Sequence, residues 1–228
     1  MARKSTSPDG SWIDGGGETA AIAAEYRKGR RLCVATTNLD AKRPVILNIG
    51  LIAASGRPEA LDLIHKAVVA SASIPAAFPP MLIEVVADGR RYDELHVNGG
   101  TGSQVFLYPA GVDWKRVERV MEVKGTPKVY VVRNSKVAPD WKTVKPSIFP
   151  IVGVSIDSLI RTQGIGDMYR IYLDCQRDGV VFHLAYIPED FDQKPKEDFD
   201  PVYMGKLFDS AYDLAKKGYP WDSAPPGF

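Results

Sequence analysis

Cysteine and histidine are scarce in this chain of 228 residues, and neither sign of charge dominates it. The two cysteines, Cys33 and Cys175, are too few and too far apart for a disulfide framework or a zinc site. Both stand among apolar neighbours, which predicts buried thiols. The three histidines, His65, His96 and His183, form no pair at metal-ligand spacing, so neither a metal nor another cofactor is expected. With 29 basic against 28 acidic side chains the formal charge is +1, which gives no reason to invoke nucleic acid as a partner. No apolar run approaches the ~20 residues that cross a bilayer, so no transmembrane segment is expected. The opening Met1-Ala2-Arg3-Lys4 is basic, but no hydrophobic stretch follows it. An export signal is therefore not expected, and the cytoplasm is the default compartment.

What is present is ordinary for a folded protein: 45% apolar and 25% charged residues, which excludes disorder of the whole chain. Residues 1–17 differ from the rest. They are rich in Ser, Pro, Asp and Gly and read as a flexible lead-in to one domain over 18–228. A short helix over 18–28 carries Ala20, Ile22, Ala23 and Tyr26 as its apolar stripe. Residues 32–37 and 45–47 read as strands, with Asn38-Leu39-Asp40 as a turn after the first. From Pro58 a helical pattern places Ala60, Leu61, Ile64, Ala67 and Val68 on one face. The clearest element is a hairpin. Residues 81–87 and 90–97 flank Asp88-Gly89, a pair suited to a type I′ turn because both residues tolerate positive φ. Further on, 128–132 and 180–187 read as strands, and 154–176 as a helix interrupted by Gly164-Ile165-Gly166. Asp190 to Asp200 reads as a surface loop, and Pro201 opens a last helix with Met204, Leu207, Phe208, Ala211 and Leu214 facing inward. Strands alternating with helices predict an α/β layer fold, with no internal repeat and no domain boundary.

Four stretches in this order carry a resemblance. They are Ala35-Thr36-Thr37-Asn38-Leu39-Asp40, the run Ala70-Ser71-Ala72-Ser73-Ile74-Pro75-Ala76-Ala77-Phe78-Pro79-Pro80, His96-Val97-Asn98-Gly99-Gly100, and Gln104-Val105-Phe106-Leu107-Tyr108-Pro109. Together with the tail, through Thr162-Gln163-Gly164-Ile165-Gly166-Asp167 to Tyr219-Pro220-Trp221, they resemble the C-terminal portion of bacterial patatin-like phospholipases. That resemblance implies a three-layer α/β/α fold, incomplete here on its N-terminal side. It also implies a Ser-Asp dyad that cleaves acyl esters of lipids without metal or cofactor. A serine in a G-x-S-x-G elbow attacks the ester carbonyl, an aspartate in a D-G-G loop takes its proton, and a glycine-rich loop donates backbone N–H groups to the oxyanion.

The sequence departs from that pattern at each part of the site. No serine lies in G-x-S-x-G. The nearest approach, Gly153-Val154-Ser155-Ile156-Asp157, lacks the second glycine, and Ser155 reads as a helix-start residue. The family aspartate falls at Asn98, with Gly99 and Gly100 as the loop around it. An amide keeps the shape but cannot accept a proton near neutral pH, and Asn-Gly-Gly is also an ordinary turn sequence. Asn98-Gly99 is prone to deamidation, a slow route to aspartate. Asp14-Gly15-Gly16-Gly17 before a helix has the look of an oxyanion loop but no arginine follows, and a linker is the plainer reading. Asp93 and Glu94 read as exposed hairpin charges on opposite faces, and the apolar run 81–86 as sheet core.

The expectation is thus the base-bearing C-terminal portion of a patatin-like hydrolase, lacking the segment with the nucleophile and inactive alone. A lipid or acyl ester is its substrate when complete. The alternative is a pseudoenzyme or a lipid-binding interaction module. Loss of central strands would expose strand edges and apolar helix faces, which favours self-association or pairing with a complementary N-terminal fragment.

Overall fold

The computed structural model describes residues 15–228 except 76, 104, 106, 108–113, 121, 123, 139, 140, 142 and 198. Two compact units divide at Gln104 and Val105, directly after the glycine-rich turn 99–102, where the sequence pattern predicts no boundary. The lead-in expected over 1–17 lies mostly outside the described residues, and its last three glycines are helical instead.

In the first unit, α1 (Gly15–Arg27) precedes a hairpin of β1 (Cys33–Asn38) and β2 (Arg43–Asn48), which pair antiparallel with Val34 opposite Leu47. The sequence pattern misses α2 (Ile49–Ala54), which is too short for a periodicity to show. Asn48 caps it, its side-chain oxygen accepting from Leu51 N at 3.0 Å. Gly50 lets α2 approach α1, since a Cβ there would lie 2.5 Å from the Tyr26 ring. Helix α3 (Ala60–Ala72) buries Ala60, Ile64, Ala67 and Ala70 at helical spacing, while Val68, expected inside, is exposed. Ala23, Ile49, Ala53, Ile64 and Ala67 form the core beneath the sheet.

Strands β3 (Met81–Ala87) and β4 (Arg90–Asn98) form the expected hairpin. Asp88 at φ 49° and Gly89 at φ 73° have the two left-handed conformations of a type I′ turn. Strand β4 also pairs with β1, placing Asn98 opposite Thr36 and giving the antiparallel order β2-β1-β4-β3.

The second unit holds α4 (Trp114–Val120), β5 (Lys128–Arg133), α5 (Ile148–Asp178), β6 (Val181–Tyr186) and α6 (Pro201–Lys216). Strands β5 and β6 pair parallel in register, with Val131 beside Leu184, as the crossover through α5 requires. Mixed α/β architecture is therefore as the alternation predicts. Helix α5 runs without a break through Gly164-Ile165-Gly166, contrary to the expected interruption. Gly164, Met168, Ile171 and Cys175 form one buried stripe across it, and that packing outweighs the ~1 kcal/mol helix cost of each glycine. Cys175 is buried as expected, and its thiol is pushed up to about 11 by burial, with Asp174 and Asp178 adding to it. Cys33 is exposed, contrary to expectation, because it begins β1 at the sheet margin. The inner face expected for α6 is mostly outward: Met204 and Phe208 are exposed and the helix buries no residue fully. No described helix is long and apolar enough to cross a membrane.

Candidate functional site

The C-terminal end of β4 turns into a single 3-10 turn, Gly99–Thr101, and Asn98 is the residue at the corner. Its side-chain oxygen accepts from Gly100 N at 2.8 Å, and its Nδ2 donates to the carbonyl of Ser71 near the end of α3. Its backbone N–H donates to Ser73 O at 2.9 Å. From β1, Thr37 Oγ1 donates to Asn98 O at 3.1 Å. Gly99 is locked in place: an added Cβ would lie 2.5 Å from the backbone oxygen of Ala35. Three of the four stretches that carry the resemblance, far apart in sequence, therefore meet at Asn98. The fourth, 104–109, lies largely outside the described residues.

At this corner is an open hollow of about 300 Å³, lined by Ala35, Ser71, Asn98, Gly99, Gly100 and Ser103. None of these six residues carries a charge. Asn98 offers no basic atom, because an amide oxygen and nitrogen do not take up a proton near pH 7. Ser71 directs its hydroxyl back to Val68 O at 2.7 Å, the intrahelical bond typical of a helical serine. The hollow thus presents hydrogen-bonding groups, and its Ser71 hydroxyl is taken up by the helix rather than by a base. No sequence pattern marks Ser71 or Ser103 as a site residue. Ser71 lies inside one of the four stretches, yet only the fold shows that its carbonyl fixes Asn98.

Beside the hollow lies a buried relay. Thr36 Oγ1 and His96 Nδ1 are 2.8 Å apart, and His96 Nε2 lies 3.2 Å from Glu94 Oε2. Hydroxyl, imidazole and carboxylate stand in the order that activates a nucleophile. Thr36 is nevertheless 0% exposed and His96 2% exposed, so no substrate reaches the hydroxyl. The relay instead satisfies two buried polar side chains where β1 meets β4. Glu94 is part-buried, which corrects its reading as an exposed hairpin charge; residues two apart on a strand share a face, and His96 holds it there. Asp93 is exposed as expected.

The other candidates are not assembled into a site. Ser155 is exposed two turns inside α5, whose N-cap is Ser147, so it is not a helix-start residue. His65 is exposed on α3, and His183 stacks on Tyr130 with ring centroids 4.6 Å apart. Gly15-Gly16-Gly17 begin α1, so they form neither a loop nor a linker, while Asp14 lies outside the described residues. Among the described residues no group of three His, Cys, Asp or Glu is placed to hold a metal ion. Comparisons with family models, curated proteins and solved structures find no match to this chain.

Proposed function

We propose that the Asn98 corner is the base-side half of a patatin-like acyl hydrolase site on a three-layer α/β/α fold. In this reading Asn98 stands where the dyad aspartate acts, Gly99 and Gly100 form the loop around it, and the substrate is an acyl ester of a lipid. The observation that carries it is the convergence at one hollow of three stretches that are far apart in sequence. These 228 residues contain no G-x-S-x-G elbow, and among the described residues no carboxylate lines the hollow. Nucleophile and base must both be supplied before the hollow can turn over an ester.

A second reading, a non-catalytic binding module, is favoured by one specific feature. Both polar atoms of the Asn98 side chain are engaged by backbone, Oδ1 by Gly100 and Nδ2 by Ser71, which makes the amide a structural cap. The experiment that separates the readings is complementation. The chain is co-expressed with a strand-elbow-helix segment bearing G-x-S-x-G, with and without Asn98→Asp. A serine-directed fluorophosphonate that labels the elbow serine only when Asn98→Asp is present supports the hydrolase site. Equal labelling with either residue assigns the corner a structural role only.

A further inference from the structure

We propose that Asn98-Gly99 is a modification site gated by the fold. Closed, the corner blocks conversion of the Asn98 amide; once opened and converted, it no longer closes as before. This goes beyond the acyl hydrolase reading and does not depend on it.

Asn98-Gly99 is the one Asn-Gly pair in the sequence, and the chemistry it invites is intramolecular. Hydroxide takes the proton from the backbone nitrogen of Gly99, which then attacks the side-chain Cγ of Asn98. As that C–N bond forms, the bond from Cγ to Nδ2 breaks. The amide nitrogen takes a proton from water and leaves as ammonia, and a succinimide ring remains. Water then opens the ring at either carbonyl, giving aspartate or isoaspartate at position 98. Glycine in second place favours the attack because no side chain shields its nitrogen.

The folded corner holds the reacting atoms apart. Ring closure needs the Gly99 nitrogen eclipsed with the Asn98 Cβ, which for an L residue requires a strongly negative ψ. Asn98 ends β4 with φ −47° and ψ 134°, which turns that nitrogen away from the side chain. Four hydrogen bonds oppose the rotation. Oδ1 accepts from Gly100 N at 2.8 Å and Nδ2 donates to Ser71 O, which fixes the side chain. On the backbone, Asn98 N donates to Ser73 O at 2.9 Å, and Asn98 O accepts from Thr37 Oγ1 at 3.1 Å. Exclusion of solvent is not the barrier, since Asn98 is only half-buried and lines the open hollow. The attack therefore requires the end of β4 to open. Its rate in the folded chain is the rate in the open chain multiplied by the open fraction.

The gate works in one direction. Aspartate at position 98 turns a lone pair toward the Ser71 carbonyl, where the amide donated. Isoaspartate routes the main chain through the side-chain Cβ and lengthens it between β4 and the turn. The turn has no slack for this, because even an added Cβ on the buried Gly99 would lie 2.5 Å from Ala35 O. Either product disfavours the closed corner, so each opening that ends in conversion is recorded permanently.

The test incubates the full chain in mildly alkaline buffer, native and in guanidinium chloride, and follows position 98 by peptide mapping and mass spectrometry. Conversion in the unfolded chain is expected to outpace that in the native chain at least tenfold. Thr37→Val removes the clamp on the Asn98 carbonyl at nearly constant volume. It is expected to speed native conversion at least threefold and to leave the unfolded rate unchanged. If that variant does not fold by circular dichroism, the native-to-unfolded ratio of the parent still decides. The converted chain, once refolded, is expected to unfold at lower denaturant than the parent. Equal native and unfolded rates, or a folded Thr37→Val that converts no faster than the parent, overturn the gate. No conversion in guanidinium chloride overturns the site, and a converted chain as stable as the parent overturns the one-way character. None of these failures touches the hydrolase reading, whose readout is labelling at the elbow serine.

Discussion

At Asn98 the side chain meets a donor on one side and an acceptor on the other, and only a group with both polarities satisfies the pair. A carboxylate keeps the bond from Gly100 N but turns a lone pair toward the Ser71 carbonyl. Asn98→Asp is therefore expected to destabilise the chain at pH 7 by about 1–3 kcal/mol, the cost of leaving a part-buried acceptor unpaired. A protonated carboxyl can donate again, so the deficit is present at neutral pH and fades as pH falls through the carboxyl's titration. Denaturant melts of both proteins at pH 7 and pH 4 check this, and a deficit that does not narrow in acid contradicts the geometry. The turn at Asn98 was legible in the sequence because Asn-Gly-Gly after a strand is a turn pattern. Its partners were not: a backbone carbonyl 27 residues away has no signature, and Glu94 pairs with His96 only because a strand puts residues two apart on one face.

Elements were legible where the chemistry is local. The β3–β4 hairpin follows from Asp88-Gly89, two adjacent residues that tolerate positive φ, and the sequence alone places it to within a residue. Helix α2 escaped because six residues are under two turns. The α5 break was expected because two glycines lower local propensity, while the stripe that overrides them is a tertiary fact. Continuity of α5 has a direct consequence. Gly166 lies mid-helix with nothing within 4 Å of an added Cβ, so Gly166→Ala is expected to raise stability by about 0.5–1 kcal/mol in a urea melt. A loss of stability there would restore the break.

Helix α6 begins at Asp200, whose carboxylate accepts from Lys196 N at 3.0 Å, Val202 N at 2.9 Å and Tyr203 N at 3.3 Å. The bond from Lys196, with those from Tyr203 and Val202 and the charge of Lys206, holds its pKa below the ordinary aspartate value. A carboxyl depressed by folding stabilises above its unfolded pKa of ~3.9 and loses that contribution as pH falls through its folded value. Asp200→Asn keeps an acceptor for the helix N–H groups but loses the charge and one acceptor. Its melting temperature is expected below that of the parent at pH 7, with the two converging in acid. A gap that is constant with pH contradicts the assignment.

The whole molecule consists of two α/β units, one with a polar hollow at the end of an antiparallel sheet and one with a parallel pair crossed by a long helix. The alternation of strands and helices was enough to read the α/β class. The division at Gln104 was not legible, since glycine-rich turns occur within units as well as between them. Around the hollow, the described residues show uncharged lining side chains, Ser71 bonded to its own helix, and Asn98 engaged by backbone through both its oxygen and its nitrogen. None of the six lining side chains is one that deprotonates a hydroxyl near pH 7, so the proposed reading expects no turnover from the hollow as it stands. The direct measurement is turnover of p-nitrophenyl butyrate by homogeneous, mass-verified chain carrying asparagine at position 98. Nitrophenol is expected to be released no faster than in buffer alone; multiple turnovers per chain, abolished by a serine-directed fluorophosphonate, would show that the hollow or another site holds an activated serine after all.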